Sequence, residues 1–231
     1  NTSETAVYLE YEGDKNNNKV PDPEEIGVNN LNGNGDFRSE ESIELLKQSD
    51  IVVTNPPFSL FREYIDQLIE HKKKFLIIGN INTISYQNWF KYIKQNKMWL
   101  GYNTVRYFEK PDGTMYETAR SFWYTNLDIK KRHEEFIMYK KYKKSDYPKY
   151  DNYDAINVDK AKDIPMDFDG LMGVPITFLD KYNPDQFELI GLMASTTISE
   201  FNFGYPYLDG KKLYARVIIR NKRLWKLIKK T

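Results

Sequence analysis

The chain has 231 residues, 40% hydrophobic and 29% charged, enough for one large domain or one domain with an appendage. No run approaches the roughly 18 apolar residues of a membrane span, and no basic start leads into a short apolar core as in a signal peptide. The absence of cysteine excludes disulfides and thiolate metal sites and fits a reducing cytoplasm, and only two histidines, His71 and His133, are present for a transition metal.

The net charge of +1 conceals a division along the chain. Residues 1–50 hold 12 acidic and 4 basic residues, and the remainder 21 acidic and 30 basic. A basic later part suits contact with a polyanion, although ordinary solvated lysines give the same count. Tyrosines are interleaved with lysines in Tyr139-Lys140-Lys141-Tyr142-Lys143-Lys144. Rings that stack on bases beside cations that meet phosphates suit nucleic acid, while a biased genome composition would leave the same trace.

In chain order, Ala6–Tyr11 alternates weakly and reads as a strand. Residues 12–35 are rich in Gly, Asn, Pro and Asp and read as a loop. Its oxygen ligands Asp14, Asn16, Asn18, Asp22 and Glu25 lack the glycine and the spacing of a calcium loop, so no metal is expected. Ser39–Gln48 reads as a short helix, with Ser39 as N-cap and Glu40 and Glu41 in the first turn. Ile51-Val52-Val53 has the composition of a strand buried on both faces of a parallel sheet.

Thr54-Asn55-Pro56-Pro57 then ends that strand abruptly, because neither proline donates to a ladder and Pro56 pushes Asn55 towards an extended conformation. A helix follows over 60–73, with Phe61, Tyr64, Ile65, Leu68 and Ile69 at helical spacing. Lys74–Ile78 reads as a buried strand closed by Gly79-Asn80, and Gln87–Asn96 as a helix with Trp89, Phe90 and Ile93 inward. Met98–Tyr102 is a further strand, and Val105–Phe108 and Met115–Leu127 flank the turn Lys110-Pro111-Asp112-Gly113 as a hairpin.

This order predicts an α/β fold: a Rossmann-like, doubly wound, mostly parallel sheet with an antiparallel hairpin at one edge. The remainder is expected to be an irregular basic region containing strands over 171–179, 187–193 and 213–219. The expected division is 1–127 for the chemistry and 128–231 for a basic, aromatic region.

The stretch Thr54–Phe58 suggests a reaction. An exocyclic base amine is a poor nucleophile because its lone pair is delocalised into the ring. Two acceptors aimed at its hydrogens favour a tetrahedral nitrogen, and Asn55 Oδ1 with the Pro56 carbonyl can supply both from a rigid elbow. Phe58 would stack on the base, which must leave a duplex to reach the pocket. No metal or catalytic histidine is needed.

Ile-Val-Val-Thr-Asn-Pro-Pro-Phe resembles the signature of S-adenosylmethionine-dependent amino-methyltransferases, in which Asp, Asn or Ser precedes Pro-Pro and an aromatic residue. Gly33-Asn34-Gly35-Asp36-Phe37-Arg38-Ser39, Asn55–Tyr64 and Lys74–Asn80 more closely resemble the EcoRI-type adenine-specific DNA methyltransferases. The similarity continues through Trp99-Leu100-Gly101 and 173–179. The resemblance implies that Asn55, Pro56, Pro57 and Phe58 hold a flipped adenine and that Asp36 and Phe37 contact the adenine of S-adenosylmethionine. It also implies double-stranded DNA as partner, and a restriction endonuclease in the same system without direct contact.

One departure stands out. The glycine turn that seats the cofactor's methionine part in such enzymes has no counterpart before Asp36, and the chain opens on Asn1, so a missing N-terminal portion is expected.

Other candidates are weaker. Lys140, Lys141, Lys143, Lys144 and Arg120 are expected on DNA, Asn80 and Asn82 stand near the same sheet edge, and Trp123 and Tyr124 would either read the duplex or belong to the core. His71 is expected to be structural, and His133 lies in the basic segment with no partner evident. The alternative readings are an RNA-adenine or protein-glutamine methyltransferase, or a non-catalytic DNA-binding fragment.

Overall fold

The computed structural model describes residues 6–57, 59–85, 87–110 and 112–224, the side chains of 85, 87, 88 and 118–120 excepted. The chain divides into two compact units, Asn1–Val52 and Val53–Thr231.

In the first unit, β1 (Val7–Tyr11) pairs antiparallel with β2 (Ile26–Asn30), Tyr11 opposite Ile26 and Val7 opposite Asn30. The expected loop over 12–35 therefore contains a strand. Gly27, Asn29 and Asn30 have poor strand propensity, and the ladder to β1 overrides it.

Between these strands, Asp14 accepts from the backbone N–H of Asn18 (3.1 Å) and Lys19 (2.7 Å), and Glu25 accepts from Lys15 (2.6 Å) and Asn16 (3.2 Å). Contrary to the sequence reading, residues 14, 16, 18, 22 and 25 do have the spacing of calcium-loop ligands, and Lys19 takes φ 66° where that loop has glycine. These side chains serve the loop's own backbone, and among the described residues no group of three or more His, Cys, Asp or Glu is placed to hold a metal. Helix α1 (Glu40–Gln48) follows, its first turn capped by Ser39 Oγ, which accepts from Ser42 N.

The first four-stranded sheet comprises β3 (Ile51–Thr54), β4 (Lys74–Asn80), β5 (Trp99–Glu109) and β6 (Met115–Thr125), in the order β3-β4-β6-β5. Helix α2 (Phe61–Glu70) joins β3 to its neighbour β4. A single helix between adjacent strands returns the chain to its starting edge, so the two run parallel. β6 is antiparallel to both β4 and β5. The strand read as ending at Tyr102 continues to Glu109, with register shifts after Leu100 and Val105.

One expectation fails here. Ile51 and Val53 are exposed, so β3 is not buried on both faces. It is an edge strand, and strand alternation puts these two side chains on one face that the described residues leave uncovered.

The core of this sheet comes from α2, through Phe61, Ile65 and Leu68, from β4, through Phe75, Ile77 and Ile78, and from helix α3 (Gln87–Lys94), through Trp89, Phe90 and Ile93. Apolar residues at i, i+4 and i+7 make α2 one-faced. It stops where Lys72 adopts φ 53° and Lys73 N bonds Leu68 O (2.9 Å), a left-handed closure of the last turn.

The region beyond residue 127 carries a sheet of its own. Strands β7 (Ile156–Asn157), β8 (Met172–Pro175), β9 (Phe187–Met193) and β12 (Arg216–Asn221) lie in the order β7-β8-β12-β9, with β10 (Tyr207–Leu208) and β11 (Lys211–Lys212) as a separate ribbon. β7 and β8 are parallel, and β12 is antiparallel to both of its neighbours. The expected strand over 171–179 ends at Pro175 and becomes a 3-10 turn over Ile176–Lys181. Ile156, Val174, Leu189, Val217 and Ile218 fill the interior, and Gly173 leaves room for the Tyr150 ring, whose hydroxyl donates to Asn157 Oδ1 (2.8 Å).

Candidate active site

Asn55, Pro56 and Pro57 follow β3 directly, with Pro56 buried and Asn55 exposed. Pro57 O accepts from Leu60 N (3.0 Å), which turns the chain into α2. Among the described residues no donor is paired with the Asn55 amide oxygen or with the Pro56 carbonyl. Both acceptors of the elbow are therefore available on a segment whose backbone the two rings restrict. Phe58 lies outside the described residues.

What supports the elbow was not read from the sequence. The far end of the Phe61 ring, three residues after Phe58, abuts Gly79 of β4, so close that a Cβ there would stand 2.2 Å from Cζ. Trp89 stacks on Phe61 at 4.7 Å, and Tyr124 meets its edge at 5.6 Å. Tyr124 donates to Asn80 O (3.0 Å) and lies 3.1 Å from the Thr83 hydroxyl. The elbow is thereby pinned at the carboxyl end of β4, where open α/β sheets bind their ligands. An isolated glycine in a buried strand was the available signal, since it marks close approach of a neighbour.

Tyr124 is fully buried, and desolvation drives its phenol pKa far above the ordinary value. Of its two sequence readings, the core position is the one adopted. Asn80 and Asn82 sit at the same end of β4, and Asn82 N bonds Asn80 Oδ1 (2.8 Å).

Asp36 belongs to the first unit. Its carboxylate accepts from Arg38 through Nε (2.9 Å), Nη2 (2.7 Å) and the backbone N–H (2.9 Å). The hydrogen-bonded Arg38 guanidinium lowers the pKa of Asp36 to about 2. The group is ionised at neutral pH and keeps lone pairs for a further donor. The guanidinium also lies 5.4 Å from the Phe37 ring centroid. A carboxylate acceptor beside an aromatic ring fits the adenine end of S-adenosylmethionine.

Lys140, Lys141, Lys143 and Lys144 are exposed along an extended segment that runs beside residues 163–168, where Lys140 pairs with Asp163 at 3.7 Å and bridges Pro165. Arg120 is on β6, one residue beyond the Asn80–Ser121 pair that ends β4, and its side chain is outside the described set. His133 does have partners, contrary to expectation: Asp128 at 2.8 Å and Asp185 at 3.4 Å.

An α/β sheet whose strand ends in an exposed, proline-locked amide matches the Asn-Pro-Pro signature by which the sequence resembles the amino-methyltransferases. The comparisons identify the family. Residues 1–222 match the family described as adenine-specific methyltransferase EcoRI. The Type II methyltransferase M.EcoRI of Escherichia coli is 48% identical over 97% of this chain and 73% of its own length. M.MgeORF184P of Mycoplasma genitalium is 42% identical over 88% of this chain and 74% of its own, and M.MpnI of Mycoplasma pneumoniae 37% over 87% and 73%. The chain belongs to the EcoRI-type adenine-specific methyltransferase family. No solved structure matches it.

Proposed function

We propose that this chain methylates N6 of an adenine flipped out of duplex DNA, with S-adenosylmethionine as donor, as the cytoplasmic modification enzyme of a Type II restriction-modification system. The observation that carries the reading is the exposed Asn55 amide beside the Pro56 carbonyl, fixed at the end of β4 by Phe61 against Gly79.

Asn55 Oδ1 and the Pro56 carbonyl accept the two amino hydrogens of the target. Nitrogen then carries a lone pair directed at the methyl group, and positive charge developing on it strengthens both hydrogen bonds in the transition state. The donor, when bound, supplies an electrophilic methyl on a sulfonium. Transfer would leave the methyl's former bonding pair on the donor's sulfur, and one of the two amino hydrogens held by Asn55 Oδ1 and the Pro56 carbonyl would then pass to solvent from the methylated nitrogen. Phe58 and Pro57 flank the base, and Asp36 with Phe37 holds the donor's adenine. Residues 1–127 carry this chemistry. Residues 128–231 supply much of the DNA contact, with Lys140, Lys141, Lys143, Lys144 and Arg120 meeting phosphates. The companion endonuclease would act on the same DNA without touching this chain.

The test is transfer of a labelled methyl group in parallel to duplex DNA, RNA and a glutamine-containing peptide. N6-methyladenine in DNA alone is expected. Preferential labelling of RNA or peptide would assign the elbow to another amino group, and DNA affinity without any transfer would leave a binding fragment.

A further inference from the structure

β4 ends at Asn80, opposite Ser121 of β6. β6, however, begins at Met115, and β5 runs on to Glu109. The hairpin thus extends beyond β4 by the six residues 115–120, roughly 20 Å at the usual rise per strand residue. It projects from the edge that carries the elbow, because the Phe61 ring locks the start of α2 onto Gly79 at that same end. A duplex presenting an adenine to Asn55 approaches the sheet end from which the hairpin projects.

Beyond Arg120, the described surface of the outer hairpin is aromatic rather than cationic. Tyr107 is 49% exposed, Tyr116 55% and Met115 63%. Arg106 pairs with Glu117 at 2.9 Å and lies 5.4 Å from the Tyr107 ring centroid, while Lys110 stands 5.9 Å from that of Tyr116. With Glu109, Asp112 and Glu117 beside Arg106 and Lys110, the outer hairpin is a poor match for phosphates but presents rings on which bases stack. Register shifts after Leu100 and Val105 re-aim β5 at the rim, as bulges beside active sites do.

We propose that the β5–β6 hairpin is the wedge of the reaction, with Tyr107, Tyr116 and Met115 packing against the bases that flank the target adenine and holding open the gap it leaves. This rests on the methylation of duplex DNA argued above. Its role is to hold the duplex open against re-pairing once the adenine is extruded, so it matters only while the target has a pairing partner.

Single-turnover methylation by Tyr107→Ser, Tyr116→Ser and the double variant tests this on two duplexes, one fully paired and one with an abasic site opposite the target adenine. The double variant should lose roughly tenfold or more on the paired duplex and less than about threefold on the abasic one, where unpairing is already complete. Tyr116→Phe, which keeps the ring, should match the wild type on both. Equal rates on the paired duplex, or an equal loss on both duplexes, would overturn the wedge. If the wild-type protein itself forms no N6-methyladenine on either duplex, the activity reading falls and the wedge with it.

Discussion

Gly79→Ala tests the support beneath the elbow. A Cβ at this position would stand 2.2, 2.6 and 3.0 Å from three atoms of the Phe61 ring. That ring is 1% exposed and hemmed in by Trp89 and Tyr124, so it has nowhere to move. Overpacking a well-filled core costs about 1–3 kcal/mol, and the closeness of these contacts puts the expected loss near the upper end. For a chain of this size that lowers Tm by roughly 6–12 °C. The remaining strain pushes on the start of α2, so the methylation rate should fall as well. Phe61→Leu in the same background frees the space and should recover part of the stability, giving a coupling of about 1–3 kcal/mol in a double-mutant cycle of denaturant melts. An unchanged melt for Gly79→Ala, or strictly additive effects, would refute the close approach and the pinning of the elbow built on it.

Other consequences are open to direct measurement. Asn157→Ala removes the acceptor of Arg216 Nε (3.3 Å) and the nearer of two acceptors of the Tyr150 hydroxyl (2.8 Å, with Gly173 O left at 3.2 Å), so denaturant melts should show a loss of about 1–3 kcal/mol. Hydrogen bonds to Asp128 and then Asp185 raise the pKa of His133 above its ordinary 6.5. The stability this gives is complete below pH 6.5 and is lost as pH rises through the folded pKa, so an NMR titration should place His133 above 6.5 and Asp128→Asn should bring it down. For Asp36, held by Arg38 at about 2, the sign reverses: its contribution is present above the ordinary 3.8 and disappears as pH falls towards 2, and Arg38→Ala should raise the carboxyl titration.

Much of the framework around the elbow was legible because its signals are local. Two prolines after three β-branched residues can hardly be anything but a strand broken at Asn55, and the apolar spacing of 61–69 fixes the next helix. The misses share a different cause. Gly27, Asn29 and Asn30 form β2 only because β1 is there to pair with, and nothing in Ile51-Val52-Val53 reveals that the strand lies at an edge with one face uncovered. Gly79 read as a strand terminus, since the ring that requires its missing Cβ is 18 residues away in sequence. The exposed hairpin tip was equally invisible, because its reach past β4 depends on register, which alternation alone leaves open.

The central claim is that Asn55 supplies the acceptor which activates the target amine. Its most direct test is the single-turnover rate of N6-methyladenine formation by Asn55→Ala and Asn55→Asp on duplex DNA, with DNA affinity measured alongside. Removing an acceptor that strengthens in the transition state should cost roughly 10²–10³-fold in rate at unchanged affinity. Aspartate, which keeps a side-chain oxygen at the same reach, should retain much more of the activity. An Asn55→Ala enzyme as fast as the wild type would contradict the mechanism.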